Sequence, residues 1–483
     1  MAAQLDWISS IPIDRGSEEP LASQLAGALE ERIARGLLSD GTRLPPTREL
    51  AAVLRIHRGA VQEAYRRLQR AGLARGRVGS GTVVRRAESP ERFDLDSLFS
   101  PRLSRLTQDG APAALSPAVA DFSRLTPDER FFPVEEFTET LASAWSRRAD
   151  LWQYAPPLGL EELRREISRR LAEHGIDRGP AEILVTSGAQ QGLDLLFRTF
   201  TDPGDAVAME SPTYPGALAL ARFAGVEIVS LPVGPDGPDT GPLAGRRVKF
   251  VYVMPERQNP TGVTTGEWAR AALLQAAAAS GALVVEDGYE EPESGLAPLA
   301  VRDPERTVWL GTLSKDLVPG FRIGWIAGPA AVIERLALVK KTADFQTPLP
   351  LQAAVAAFLA ASGDRRARRE RTADVEAKRV AAAAALAAYL PEVRWWGGEA
   401  GNPLFWLHLA QGLSGRRVAE AAAARGIGVA AGCDFDPQGE DLPNVRLSVS
   451  RVDRKDVEPG IRGLAQAVAA VAAVSGARGM PVV

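Results

Sequence analysis

Residues 306–328, RTVWLGTLSKDLVPGFRIGWIAG, hold the spacing in this chain with the most chemistry in it. Two apolar, β-rich runs, 307–310 and 321–327, flank a turn that contains Ser314, Lys315, Pro319, Gly320 and Arg322. A lysine in a Gly/Pro turn between buried strands loses solvation, which lowers its pKa and leaves the amine nucleophilic, as a Schiff-base lysine requires. Arg322, seven residues on and past a glycine, can offer a fixed bidentate fork to a phosphate.

Further candidates lie where strand-like runs give way to helices. In SGAQQG (187–192) the small residues let the backbone N–H groups of Gly188, Ala189 and Gln190 approach an anion at the positive end of a helix. Tyr214 follows the next run in PTY, and Asn259 in MPERQNPTG offers an amide to a phenolate-like oxygen. Asp287 and Tyr289 close the apolar run ALVVEDGYE. Arg446, in NVRLSVS, stands on an otherwise apolar strand, where a guanidinium is costly unless it meets a carboxylate.

The elements that must hold these residues alternate. From about residue 119, ILVTS leads into a helix reaching Phe200, DAVAME into one reaching Arg222, and VEIVSLPV, VKFVYVMP, EWARAALLQAAAA and ALVVED follow. Such alternation predicts a three-layer α/β domain with a largely parallel sheet and a smaller C-terminal part. Ligands of such sheets sit at the carboxyl ends of the strands, where every motif above falls.

The first eighty-odd residues read differently. Leu21, Leu25, Leu29, Ile33 and Leu37 predict a helix that stops near Gly36. Thr47 is placed as N-cap of TRELAAVLR. A further helix, RGAVQEAYRRLQRAG, turns Val61, Tyr65 and Leu68 inward and Arg58, Gln62 and Arg66 outward. LARGRVGSGTVVRR predicts two short strands about a Gly-Ser-Gly tip. Residues 43–86 hold eleven arginines against two glutamates, 11 − 2 = +9, in a chain whose net charge is −3. That local excess is the electrostatic footprint of a phosphate backbone. Helix–turn–helix spacing, wing and charge together predict binding of double-stranded DNA.

Two resemblances follow from these residues. SKDLVPGFRIGW resembles the lysine signature of fold-type I pyridoxal 5'-phosphate (PLP) enzymes, the aminotransferase superfamily, and SGAQQ, PTY, QNPTG, ED-x-Y and NVRLS fall in that superfamily's order. The likeness implies that Lys315 carries PLP, with Ser314, Arg322 and Thr312 near its phosphate. It further implies that Tyr214 lies on the ring, Asp287 pairs with the ring nitrogen, Tyr289 donates to the ring hydroxyl and Arg446 takes an effector's carboxylate. YAPPLGLEELRREI also matches, implying a homodimer in which Tyr154 reaches the phosphate of a neighbouring subunit. Residues 18–86 resemble the GntR-type winged helix. That likeness implies that Arg48 grips phosphate, Arg58 and Gln62 face the major groove, and Gly79, Ser80 and Gly81 touch the minor-groove side; Arg43, Thr47 and Arg66 complete the expected DNA-binding set.

The whole chain therefore resembles a MocR-type transcriptional regulator. The expected layout is a winged helix-turn-helix over 1–86, a linker over 87–118, and a PLP-dependent aminotransferase-like domain over 119–483. Such a protein would sense PLP or an amino compound. A working aminotransferase bearing a DNA-binding domain is the alternative, and a cofactor-free scaffold a weaker third. Composition agrees: 483 residues suggest several domains, and 45% hydrophobic with 24% charged residues is ordinary for a globular chain. One cysteine gives no disulfide framework and fits a reducing cytoplasm. Three histidines make a protein-built transition-metal site unexpected, the N-terminus lacks the pattern of a signal peptide, and no uncharged apolar run reaches the ~18 residues of a membrane span.

Overall fold

The computed structural model describes residues 7–475 except 9, 78–80, 86–94, 96–97, 107–119, 147, 316 and 362–363. It divides into two compact units, Met1–Ser100 and Pro101–Val483. Much of the stretch expected to be a linker lies outside the described residues. The short helical turn Pro101–Arg105 belongs to the second unit.

In the first unit three helices, Leu21–Ala34, Thr47–Leu54 and Arg58–Arg70, close over a core that includes Leu25, Leu29, Leu50, Val61, Tyr65 and Leu68. Strands Ala74–Arg77 and Gly81–Val84 pair antiparallel beside them. The Tyr65 hydroxyl, buried with its ring, donates to the Pro45 carbonyl at 2.7 Å and fixes the turn before the second helix. Two expectations need correction. The first helix ends at Ala34, so Leu37 lies beyond it and is 71% exposed. Thr47 is the first helical residue rather than the cap; Pro46 holds the cap position, its fixed φ suiting the entry to the helix.

The second unit is built on an eight-stranded sheet. Strands Ala206–Ser211, Phe250–Val253, Leu283–Gly288 and Thr307–Thr312 run parallel to their neighbours at its centre. Gly324–Ala327 then runs antiparallel between Thr307–Thr312 and Ile183–Thr186. These central strands are buried on both faces, which is why their sequences read as continuous apolar runs. A smaller four-stranded sheet, with Leu404–His408 and Asn444–Ser448 at its centre, is backed by the helices Asp364–Tyr389 and Arg454–Ser475. Arg454–Val474 is long and apolar enough to cross a membrane. Here its Val457, Ile461, Leu464 and Val468 lie in the core of this smaller part.

Candidate functional site

Ten of the residues singled out in the sequence line one cavity of ≈ 200 Å³: Ala189, Gln190, Tyr214, Asn259, Asp287, Tyr289, Thr312, Ser314, Lys315 and Arg322. They arrive from the carboxyl ends of the central strands and the turns beyond them. The parallel register sets Tyr252 opposite Val285, so its hydroxyl reaches Asp287, two residues further along the same face. It donates to Asp287 Oδ2 at 2.5 Å. Asp287 Oδ1 is buried and has no hydrogen-bond partner among the described residues. Burial pushes this carboxyl up to about 6, only partly countered by the Tyr252 hydrogen bond, the Lys315 charge and, least, the nearby backbone N–H of Tyr289. Burial, with the charge of Arg446 as the next cause, brings the Lys315 amine down to about 8. Its Nζ donates to the backbone carbonyl of Leu125.

At the other end of the cavity, Gly188 caps the helix Ala189–Phe200 with φ +82°, a conformation that favours glycine. Arg322 packs against it and donates to the Ser187 carbonyl at 3.1 Å. Thr312 Oγ1 accepts from the Ser314 N–H at 3.1 Å, which ties the lysine turn to its strand. Gly324 presses on the same helix start: a Cβ there would lie 2.6 Å from the Gly188 carbonyl carbon and 2.7 Å from Ala189 N. Backbone cannot swing aside as a side chain does, so Gly324→Ala should cost roughly 2–3 kcal/mol and loosen anion binding at the helix start. Denaturant unfolding of variant and wild type checks this; equal midpoints would refute it.

Arg446 stands beside this cavity rather than in it. Its Nη1 donates to Asn259 Oδ1 at 2.9 Å, its Nη2 to the Ser123 carbonyl, and its plane lies 5.0 Å from the Phe435 ring centroid. Nε is buried without a hydrogen-bond partner among the described residues. Because Asn259 spends its carbonyl oxygen on Arg446, its NH₂ group is the part left to donate into the cavity.

One expectation is met only in part. Tyr289 lines the cavity, but its hydroxyl donates to the Arg257 carbonyl, so its proton is committed away from any ring oxygen. Tyr154 is 85% exposed, its ring 5.8 Å from that of Phe345, and it does not line the cavity of its own chain. Sequence reasoning passed over Tyr252, which reads as core inside VKFVYVMP, and the pair Glu210 and Gln258. Gln258 Nε2 donates to Glu210 Oε2 at 3.2 Å and to the Pro212 carbonyl at 2.7 Å, while its Oε1 accepts from both the amide and the hydroxyl of Thr261. The loop carrying Asn259 is thereby pinned to the strand before Tyr214. Burial raises Glu210 to about 8, so this buried carboxyl is held neutral at physiological pH.

In the first unit Arg43, Arg48, Arg55, Arg58, Gln62 and Arg66 are all exposed. Arg58 Nε donates to Thr47 Oγ1 at 3.3 Å, linking the second helix to the start of the third. Arg66 and Arg70 both engage Glu63, at 2.7 and 2.6 Å. Arg43 lies over Gly81, where a Cβ would come within 3.1 Å of its Nε. Gly79 and Ser80 lie outside the described residues.

An amine, an unpartnered carboxylate and a glycine-started helix at the strand ends of such a sheet define the fold-type I aminotransferase class. Residues 125–464 match the family described as aminotransferase class I and II, and residues 21–84 match the bacterial regulatory proteins of the gntR family. The chain belongs to the aminotransferase class I and II family, in the gntR-fused, MocR-type form. It is 30% identical to the HTH-type transcriptional regulator TauR of Rhodobacter capsulatus, over 95% of this chain and 99% of that one. It is 31% identical to the probable rhizopine catabolism regulatory protein MocR of Rhizobium meliloti, over 72% of this chain and 73% of that one. Among solved structures, LysN, the α-aminoadipate aminotransferase of Thermus thermophilus complexed with N-(5'-phosphopyridoxyl)-L-leucine, superposes with a TM-score of 0.71 at 29% identity, covering 78% of this chain and 99% of that one. PLP is the cofactor of this family, and the residues present fit it, since the orphaned Asp287 Oδ1 is the acceptor that a protonated ring nitrogen needs.

Proposed function

We propose that this chain is a PLP-dependent, DNA-binding transcription regulator that senses the cofactor or an amino compound through its aminotransferase-like unit. The observation that carries the reading is Asp287 Oδ1, buried and unpartnered in the cavity that holds Lys315, within a chain that also carries a gntR-family helix-turn-helix. When bound, PLP supplies an aldehyde for an amine to condense with and a ring nitrogen whose protonation makes the ring an electron sink. Lys315, at about 8, offers more neutral amine near pH 7 than an ordinary lysine does. Asp287, ionised above about 6, holds the proton on the ring nitrogen. The Asn259 NH₂ would donate toward the ring oxygen, Tyr214 would cover the ring, and Arg322 with the amides of Ala189 and Gln190 would hold the phosphate. Arg446 waits for a carboxylate.

On this reading residues 1–86 form the DNA-binding domain, 87–118 the tether and 119–483 the sensing domain. The exposed Tyr154 supports a homodimer in which a second copy completes the site. The absence of a disulfide framework supports a cytoplasmic protein. Ligands would act by binding two states of the sensing domain unequally. Lys315, Asp287 and Arg446 also suit a working aminotransferase, in which the released Lys315 amine would move a proton between substrate Cα and cofactor. An amino donor supplied without an oxo acid separates the two readings, because only transamination leaves the donor converted to its oxo acid.

Purified protein is expected to be yellow, and Lys315→Ala to lose its visible band completely. Borohydride reduction should place a pyridoxyl group on the peptide 306–328 of wild type alone. A colourless wild type with no such adduct would remove the cofactor from the reading.

A further inference from the structure

Resting on that reading, we propose that the amino compound recognised beside Lys315 carries two anionic groups. Beyond Tyr214 and Asn259 the site opens into a second cavity of ≈ 990 Å³, which Lys315 also lines. It lies between the helix Pro215–Ala224 and the loop 430–439 of the smaller part. Five arginines face it, 105, 124, 222, 416 and 446, against a single carboxylate, Asp434.

Two of the five are offset. Arg124 bridges Asp121 at 3.0 Å, and the charge of Arg416 acts on Asp434. The other three hydrogen-bond no carboxylate among the described residues, although the charges of Asp434 and Asp121 also act on Arg446. Arg446 bonds an amide oxygen and a backbone carbonyl and keeps its buried Nε unpartnered. Arg222 reaches only the carbonyls of Asp436 and Pro437, both at 3.3 Å, among the described residues. Arg105 lies against Gly225 at the end of the helix Pro215–Ala224, a Cβ on that glycine falling 1.9 Å from its Nη1, and no described carboxylate bridges it.

A ligand whose only anion is a carboxylate on Arg446 would leave two further guanidinium groups, Arg222 and Arg105, lining the same cavity with no described carboxylate bonded to either, and like charges that line one cavity repel. A second carboxylate, sulfonate or phosphate removes that repulsion and replaces two long hydrogen bonds with charge-assisted ones. The volume admits the extra length, being several times that of a small amino acid. Amine toward Lys315, first anion on Arg446 and second on Arg222 and Arg105 is the order of recognition that the cavity supports.

Pairs that differ by one anionic group test this on the full-length, PLP-loaded protein: L-glutamate against L-glutamine, and O-phospho-L-serine against L-serine. Binding is read as the change in visible absorption and, independently of the chromophore, by titration calorimetry with and without PLP. The dianionic member of each pair should bind at least ~10-fold tighter, with the ratio shrinking as salt rises from about 0.05 to 0.5 M. Arg105→Gln/Arg222→Gln should bring the members of each pair within about threefold. Equal affinities in wild type, or a preference unchanged in the double variant, would overturn the proposal. A protein that shows the calorimetric preference but no visible band would retain this inference while failing the PLP reading.

Discussion

Full-length Asp287→Asn is expected to hold PLP about a hundredfold more weakly than wild type, yet to unfold at a higher temperature when no cofactor is present. Both effects come from one buried charge. The carboxylate that pairs with the protonated ring nitrogen is replaced by a neutral amide, and losing one partner of a desolvated charge pair costs about 3 kcal/mol. Without cofactor, the same carboxylate is a liability. Its folded-state value is raised by burial from 3.8 to about 6. Folding therefore favours the protonated form, so its contribution to stability falls as pH rises from near 3.8 to about 6 and stays low above that. A neutral residue relieves up to about 3 kcal/mol of that cost at neutral pH, while still accepting from the Tyr252 hydroxyl. Cofactor titration and thermal melts of the cofactor-free proteins at pH 5 and pH 7.5 decide the matter; the stability gain should be larger at the higher pH. Unchanged affinity would exclude Asp287 from the ring nitrogen, and a less stable variant would exclude the buried-charge account.

The second large effect is on DNA. Arg58→Ala and Gln62→Ala should each cost roughly 1–3 kcal/mol on the specific operator and relax discrimination at the base each one reads. Arg48→Ala should instead weaken all sequences alike and reduce the salt slope by about one. Footprinting on the DNA upstream of the protein's own gene, repeated across salt concentrations, separates these patterns. Variants that leave both affinity and slope unchanged would remove the third helix from the groove. Gln62 carries no charge, so any loss it causes must come from contact rather than from net electrostatics.

The recognition helix was legible because its two faces differ so sharply, with Val61, Tyr65 and Leu68 buried and Arg58, Gln62 and Arg66 exposed. Lys315 and Asp287 were legible for another reason: charged groups at the ends of buried strands are rare, and each strand announces itself by its apolar run. What escaped depends on contacts distant in sequence. Tyr252 looks like any aromatic of a central strand until the register sets it opposite Val285, two residues before Asp287. Glu210 and Gln258 are 48 positions apart and meet only because their strands are neighbours. The direction of the Tyr289 hydroxyl was unreadable, since a backbone carbonyl at Arg257 decides it and every residue has a carbonyl. Thr47 was misplaced by one position because Pro46 had already set the helix entry.

Lys315 and Arg446, 131 positions apart in sequence, both donate to carbonyls of one short stretch, Leu125 and Ser123. That stretch follows directly on the strand Ala120–Asp121, which is anchored to Ile427–Gly428. Whatever claims either cation takes a donor away from the same few residues, and a buried acceptor without a donor must find water or shift. What occupies the cavity therefore bears on the backbone carbonyls of Ser123 and Leu125, two residues apart in one segment.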